Sequence, residues 1–136
     1  MKRAFIDANV ILRYLTKDPL EMAEAALKTF MDAKKGEVLL LITPLTVAEV
    51  VWVLESFYGY SKNQIAETLT QFLLCDGLEA ESLDLLIEAL ALYQGKNLDF
   101  ADAFLAVTAL RKGPPTIYSF DRHLNRVDGI TVLKPT

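Results

Sequence analysis

The stretch Leu98-Asp99-Phe100-Ala101-Asp102-Ala103-Phe104-Leu105-Ala106-Val107-Thr108-Ala109-Leu110 reads as one helix that is apolar almost all the way round. Phe100, Ala103, Phe104 and Val107 share one side at helical spacing, and Ala101, Leu105, Ala106 and Ala109 fill most of the rest. A helix without a polar face is covered on more than one side, so it belongs inside a layered domain. Its first turn nevertheless carries Asp99 and Asp102, three residues apart and therefore neighbours on one face. Adjacent negative charges at the start of a buried helix need compensation. Capping supplies one explanation, with Asp99 at the N-cap and Asp102 at the third helical position, where acids suit the helix dipole. The same placement of an acid recurs at three other points in the chain, and that recurrence sets the functional reading.

Outward from this helix, short apolar strands alternate with helices. Downstream, Arg111-Lys112 and Gly113-Pro114-Pro115 stop the helix. Thr116-Ile117-Tyr118 follow as a core strand, Asp121 caps a helical turn through Leu124, and Ile130 to Leu133 make a last strand at a sheet edge. Upstream, Ser82 to Tyr93 predict a helix with Leu83, Leu86, Ile87, Leu90 and Ala91 inward; Glu79, Glu81, Asp84 and Glu88 read as a solvated acidic face. Ser61-Lys62-Asn63-Gln64 is a capping box opening a helix through Cys75, and Thr46 with Glu49 fits a second box on an almost wholly apolar helix through Leu54. Val38 to Ile42 is a buried strand. Leu20 to Lys34 is a helix with Ala23, Ala26, Leu27 and Phe30 inward, preceded by Asp18 as cap and Pro19 at the first position. Ala4 to Ile6 form the first strand, ending at Asp7; so continuously apolar a run suits a parallel sheet buried on both faces. This alternation predicts a single α/β domain over residues 1–136 with a mostly parallel sheet.

Composition narrows the class. Apolar residues make up 52% of the 136, and mean hydropathy is +0.26, a surplus that an oligomer or a partner would cover. No apolar run reaches the roughly 18 residues that span a bilayer, and Asp7 ends the basic-then-apolar start too early for a signal peptide. One cysteine, Cys75, allows neither a disulfide framework nor a cysteine zinc site, and the expected compartment is cytoplasmic. The net charge of −4, with a pI near 5.0, argues against broad non-specific binding to nucleic acid while permitting a local basic rim.

Asp7, Glu49, Asp102 and Asp121 each fall at the C-terminal side of a strand or at the start of a helix on that side. In a parallel sheet with right-handed crossovers, those ends lie along one edge. Each acid alone has a capping explanation; four on one edge would repel, and a divalent cation removes the conflict. An all-oxygen donor set with no histidine pair points to Mg²⁺ or Mn²⁺. Asp99 either supports such a site or only caps its helix. Asn9 can orient a carboxylate or touch substrate, and Ser119 can donate a hydrogen bond to Asp121 or to a water. His123, the one histidine, reads as a surface or packing residue. Hard cations held by carboxylates suit phosphate-ester chemistry, because the ion acidifies and orients a water and neutralises charge in the transition state. The expected reaction is therefore metal-dependent hydrolysis leaving 5′-phosphate and 3′-OH ends.

Phe5-Ile6-Asp7-Ala8-Asn9-Val10-Ile11-Leu12-Arg13, Thr46-Val47-Ala48-Glu49-Val50, Asp99-Phe100-Ala101-Asp102-Ala103 and Tyr118-Ser119-Phe120-Asp121, in that order and spacing, resemble the PIN-domain nucleases, and among them the VapC toxins of prokaryotic toxin–antitoxin pairs. The resemblance spans essentially the whole chain. It implies a PIN-like fold with a central, mostly parallel twisted sheet flanked by helices on both faces. It also implies a Mg²⁺-dependent RNA endonuclease, a homodimer, and neutralisation by a small VapB-like antitoxin whose tail enters the acidic groove. Catalytic and metal-binding roles carry over to Asp7, Glu49, Asp102 and Asp121, with Asn9 and Ser119 beside them; Asp99 is an acid that the family pattern often has. Candidate RNA contacts are Arg13, Lys17, Arg122 and Arg126. A haloacid-dehalogenase-type phosphatase also opens with a strand ending in Asp, but it needs a second Asp where Asn9 stands. A receiver domain needs a lysine at a later strand end that is missing here. The competing reading from another class is a catalytically silent PIN-like binding or assembly module.

Overall fold

The computed structural model describes residues 2–136. The chain forms two compact units, one running through Leu83 and one of Asp84–Thr136.

In the first unit the elements run β1 (Lys2–Phe5), α1 (Ala8–Thr16), α2 (Leu20–Lys34), β2 (Val38–Ile42), α3 (Pro44–Ser56), α4 (Lys62–Leu73) and β3 (Leu78–Ala80). The three strands form a parallel ladder in the order β1-β2-β3. Ala4 stands opposite Leu40, and Leu40 opposite Leu78. The Ile6 N–H continues the pairing by donating to the Leu41 carbonyl at 3.1 Å, so Asp7 follows directly on the last ladder bond. Ile11, Leu12, Leu40, Ile42, Val47, Val50, Leu54, Ile65 and Leu69 are buried. Tyr14, Phe30 and Phe72 form a ring cluster with centroids 4.6 to 6.0 Å apart, joining α1, α2 and α4. The turn into β3 depends on Gly77, whose φ of +85° is left-handed and whose added Cβ would strike the Ala33 backbone at the end of α2.

The second unit holds all but the first residue of α5 (Leu83–Gly95), then α6 (Phe100–Lys112), β4 (Thr116–Tyr118), a 3-10 turn (His123–Arg126) and β5 (Thr131–Leu133). β4 and β5 pair in parallel, with Ile117 opposite Val132. Leu86, Leu90, Tyr93, Leu98, Ala103, Ala106 and Val107 are buried. Glu88 is not part of a solvated acidic face. It is half-buried and accepts both guanidinium nitrogens of Arg111, with Nε at 2.9 Å, tying α5 to α6. That contact draws the Glu88 carboxyl below its usual range, first through the hydrogen bond and then through the charge, against the opposing effect of burial.

The alternation of strands and helices and the parallel pairing are as expected, and several local expectations are corrected. Helix α3 begins at Pro44, two residues ahead of Thr46, because a proline at the first position has a suitable φ and lacks only an N–H that would be unpaired there. Its cap is Thr43, whose Oγ1 accepts from the Thr46 N–H at 3.2 Å, so Thr46 and Glu49 do not form a capping box. Pro19, not Asp18, is the N-cap of α2. Asp18 is engaged elsewhere, its carbonyl accepting from Arg13 at 3.1 Å and its carboxylate from the Tyr58 hydroxyl at 3.4 Å. Strand β1 is not buried on both faces: among the described residues it has a ladder neighbour on one side only, and Phe5 is 71% exposed. Leu27 faces out from α2, and Ala101 and Leu105 face out from α6.

Candidate active site

In the first unit, the chain leaves β1 through Ile6 and turns into α1 at Asp7, which is extended at φ −94° and ψ 174°. The Asp7 Oδ1 accepts from the Val10 N–H at 3.1 Å, so the capping role is real. Its second carboxylate oxygen has no part in that cap, and the residue is exposed. Asn9 is the second residue of the helix, and Arg13 lies four further on, on the same face. Together with Asp7 and Val10 they form one wall of a cleft of about 340 Å³ between α1 and α2; Met22, Ala25, Ala26 and Thr29 form the other.

Arg13 is held by its neighbours. Its Nη1 donates to the Asp18 carbonyl at 3.1 Å and to the Tyr58 hydroxyl at 3.4 Å, and that hydroxyl in turn donates to the Asp18 carboxylate. The Arg13 Nε is enclosed and has no acceptor among the described residues. Lys17 ends α1 in the left-handed region at φ 58° and lines a separate depression with Tyr14, Leu20 and Leu27. Glu49 sits in the middle of α3, exposed and six positions past its cap, where helix-end electrostatics no longer explain an acid.

In the second unit, Asp99 is the N-cap residue of α6 by position, but its side chain makes no capping hydrogen bond. Asp102, three residues on, is half-buried. Its carboxyl is pushed above the usual range first by burial, then by the negative charges of Asp99 and Asp121, with His123 opposing. Asp121 thus lies within electrostatic reach of α6, brought there by the loop after β4. That loop is shaped by Ser119, whose Oγ accepts from the Asp121 N–H at 2.9 Å. The Asp121 Oδ1 accepts from the His123 N–H at 2.9 Å and lies 3.1 Å from His123 Nδ1. His123 is therefore the polar partner of Asp121, a role that its spacing of two residues from an acid could have suggested. Arg122 is exposed beside it. Arg126 is engaged internally: its Nη1 donates to the Asn97 carbonyl at 2.8 Å and to that of Lys96 at 3.4 Å, bracing the loop before α6.

The tertiary structure thus gathers Asp99, Asp102, Asp121 and His123 in one unit, and Asp7, Asn9 and Arg13 around one cleft in the other. Within neither unit do three His, Cys, Asp or Glu side chains among the described residues form a ready cage for an ion. A hard divalent cation does not require one, since Mg²⁺ is commonly held by one or two carboxylates with the remaining positions filled by water and substrate oxygens. The crowding that opposes ionisation of Asp102, together with the uncapped Asp99 carboxylate, is the kind of donor set such an ion suits. Reading the sequence missed the far wall of the α1–α2 cleft, although Met22, Ala25, Ala26 and Thr29 follow the three-and-four spacing of one helix face. It also missed the part played by Tyr58 and Asp18 in fixing Arg13.

Comparison with known proteins bears on the family of the chain. The PIN domain family matches residues 4–130. Over 128 residues the chain is 27% identical to a protein named VapC ribonuclease from Aquifex aeolicus (strain VF5), covering 93% of each chain. The family match takes in both units and all four acids singled out in the sequence, and the chain belongs to the PIN domain family.

Proposed function

We propose that this protein is a Mg²⁺-dependent RNA endonuclease, with Mn²⁺ as a substitute, acting in the cytoplasm as the toxin of a VapBC-type pair. Residues 1–136 are read as a single PIN domain. Asp7 and Glu49 in the first unit, and Asp102 and Asp121 in the second, are assigned to cation binding and catalysis. Asn9, Asp99 and Ser119 support them, and Arg13, Lys17 and Arg122 are assigned to the RNA backbone. The observation that carries the reading is the electrostatic crowding at the start of α6, where burial, Asp99 and Asp121 together hold the Asp102 carboxyl above its usual range. A half-buried carboxyl perturbed by burial and by two neighbouring negative charges is the kind of group that collects at functional sites. When bound, a divalent cation would acidify a water and neutralise charge on the phosphodiester.

The residues of the chain supply the rest. Ser119 holds the backbone of Asp121, and His123 orients its carboxylate. Arg13, pinned by Asp18 and Tyr58, presents positive charge beside Asp7. The similarity to a protein named VapC ribonuclease supports RNA as substrate and a VapB-like antitoxin as partner. Exposed Leu20, Met22, Leu27 and Met31 on α2 support burial of apolar surface in a homodimer or under that antitoxin. Among the described residues no helix is long and apolar enough to cross a membrane.

The test is cleavage of total cellular RNA by purified, antitoxin-free protein with Mg²⁺ or Mn²⁺, against EDTA and Asp7→Asn controls. Metal-dependent cuts leaving 5′-phosphates, lost in the variant, are expected. Folded protein that leaves rRNA, tRNA and mRNA intact would overturn the enzyme reading in favour of a silent binding module.

A further inference from the structure

We infer that Tyr118 and Phe120 form a stacking platform for unpaired bases of the RNA strand, with Arg122 meeting its phosphates. Tyr118 is 70% exposed and Phe120 77%, against 46% for Leu105 and 40% for Leu133 elsewhere in the second unit. Arg122 stands at the next alternate position and is exposed with them. The residues interleaved with these three are committed within the chain. Ile117 is buried, and the Ser119 Oγ accepts from the Asp121 N–H. Asp121 is exposed, but its Oδ1 accepts from the His123 N–H at 2.9 Å and lies 3.1 Å from His123 Nδ1.

Two aromatic rings and a cation on one short segment match the chemistry of a single strand, whose bases each offer a π-face and whose backbone offers negative charge. Among the described residues Arg122 makes no ion pair, so its guanidinium is free for a phosphate, whereas the neighbouring carboxylate already has His123. A protein partner drawn by apolar burial needs a contiguous patch. Here Ser119, Asp121 and Arg122 interrupt the rings and leave separate ring faces in a polar segment. The hydrogen bonds of Ser119 and Asp121 fix the loop in advance, so little ordering is lost on binding. The inference rests on the nuclease reading of this same site. Asp121 stands between Phe120 and Arg122 in the chain and acts electrostatically on Asp102, so bases held here flank the proposed acids.

The experiment measures binding of a fluorescein-labelled single-stranded RNA of mixed sequence, and of its duplex, by anisotropy in EDTA and in Ca²⁺. The full chain is used free of antitoxin, and cleavage of the single strand with Mg²⁺ or Mn²⁺ is followed separately. Circular dichroism verifies the fold of each variant. The wild type should prefer the single strand. Phe120→Ala and Tyr118→Ala should each weaken that binding by about tenfold and reduce the preference over duplex. Phe120→Trp should retain it, and Phe120→Leu, apolar but without a π-face, should not. Arg122→Gln should lower the salt slope by about one. Wild-type affinity in folded Phe120→Ala, Tyr118→Ala or Phe120→Leu would overturn the inference, as would a wild type that prefers the duplex or binds neither. Unchanged RNA affinity with a lower mass by light scattering would assign the rings to contact between two copies, and the inference falls. If the wild type cuts RNA while the aromatic variants bind as it does, the nuclease stands without the platform. If binding depends on the aromatics but no RNA is ever cut, the platform stands and the nuclease reading is what fails.

Discussion

At Asp102, burial and the charges of Asp99 and Asp121 oppose ionisation, and His123 offsets only part of that effect. A carboxyl whose folded pKa is raised leaves stability intact below the ordinary carboxylate range. Stability then falls as pH climbs from that range through the raised folded value, since the folded state holds the proton longer. Thermal melts in metal-free buffer should therefore show Asp102→Asn melting above the wild type at neutral pH, with the gap closing as the medium is acidified through that window. Added Mn²⁺ should raise the wild-type Tm more than that of the variant, and cleavage should fall by on the order of 10²-fold or more. A variant no more stable than the wild type at neutral pH would mean that the repulsion is not felt. The presence of acids at these positions was legible from the sequence, because charged residues interrupt apolar runs. Their more distant partners were not: Arg111 on Glu88 and the carbonyls held by Arg126 are contacts that spacing alone underdetermines.

Capping separates structural from functional acids at the level of elements. Asp7 caps α1 and also lines the α1–α2 cleft. Glu49 does not cap, because Thr43 opens α3 and leaves Glu49 beyond the first turn. Thr43→Ala should thus cost about 1 kcal/mol of stability, measured by urea unfolding. Glu49→Gln, an exposed change away from the cap, should stay within about 0.5 kcal/mol while lowering cleavage. Equal destabilisation by both would restore a structural role for Glu49. Where local rules act alone, element boundaries could be read closely from the sequence. Ser61 and Gln64 form the expected reciprocal box on α4, and α2 and β2 end where Gly36 and Thr43-Pro44 said they would. Thr46 misled because Thr46-x-x-Glu49 fits a capping box, while the actual cap, Thr43 before Pro44, does not.

For the molecule as a whole, the apolar surplus remains partly on the surface. Leu20, Leu27 and Met31 are exposed along one face of α2, seven and four residues apart, while Met22 lies on the opposite side and lines the α1–α2 cleft. Light scattering at micromolar concentration should give a mass near twice the 15.2 kDa of the chain. A monomer would leave that face to the antitoxin alone.

The sequence by itself determined the succession of strands and helices, the parallel sense of pairing and the family. These depend on local propensity, hydrophobic period and the kinds of residue at turns, all of which are written along the chain. Only the tertiary structure decided which groups meet: that Asp99 and Asp121 press on Asp102, that Arg13 is clamped by Asp18 and Tyr58, and that α2 supplies the second wall of the cleft beside Asp7. Contacts between residues distant in sequence arise from how helices and strands pack, and no spacing within one element encodes them.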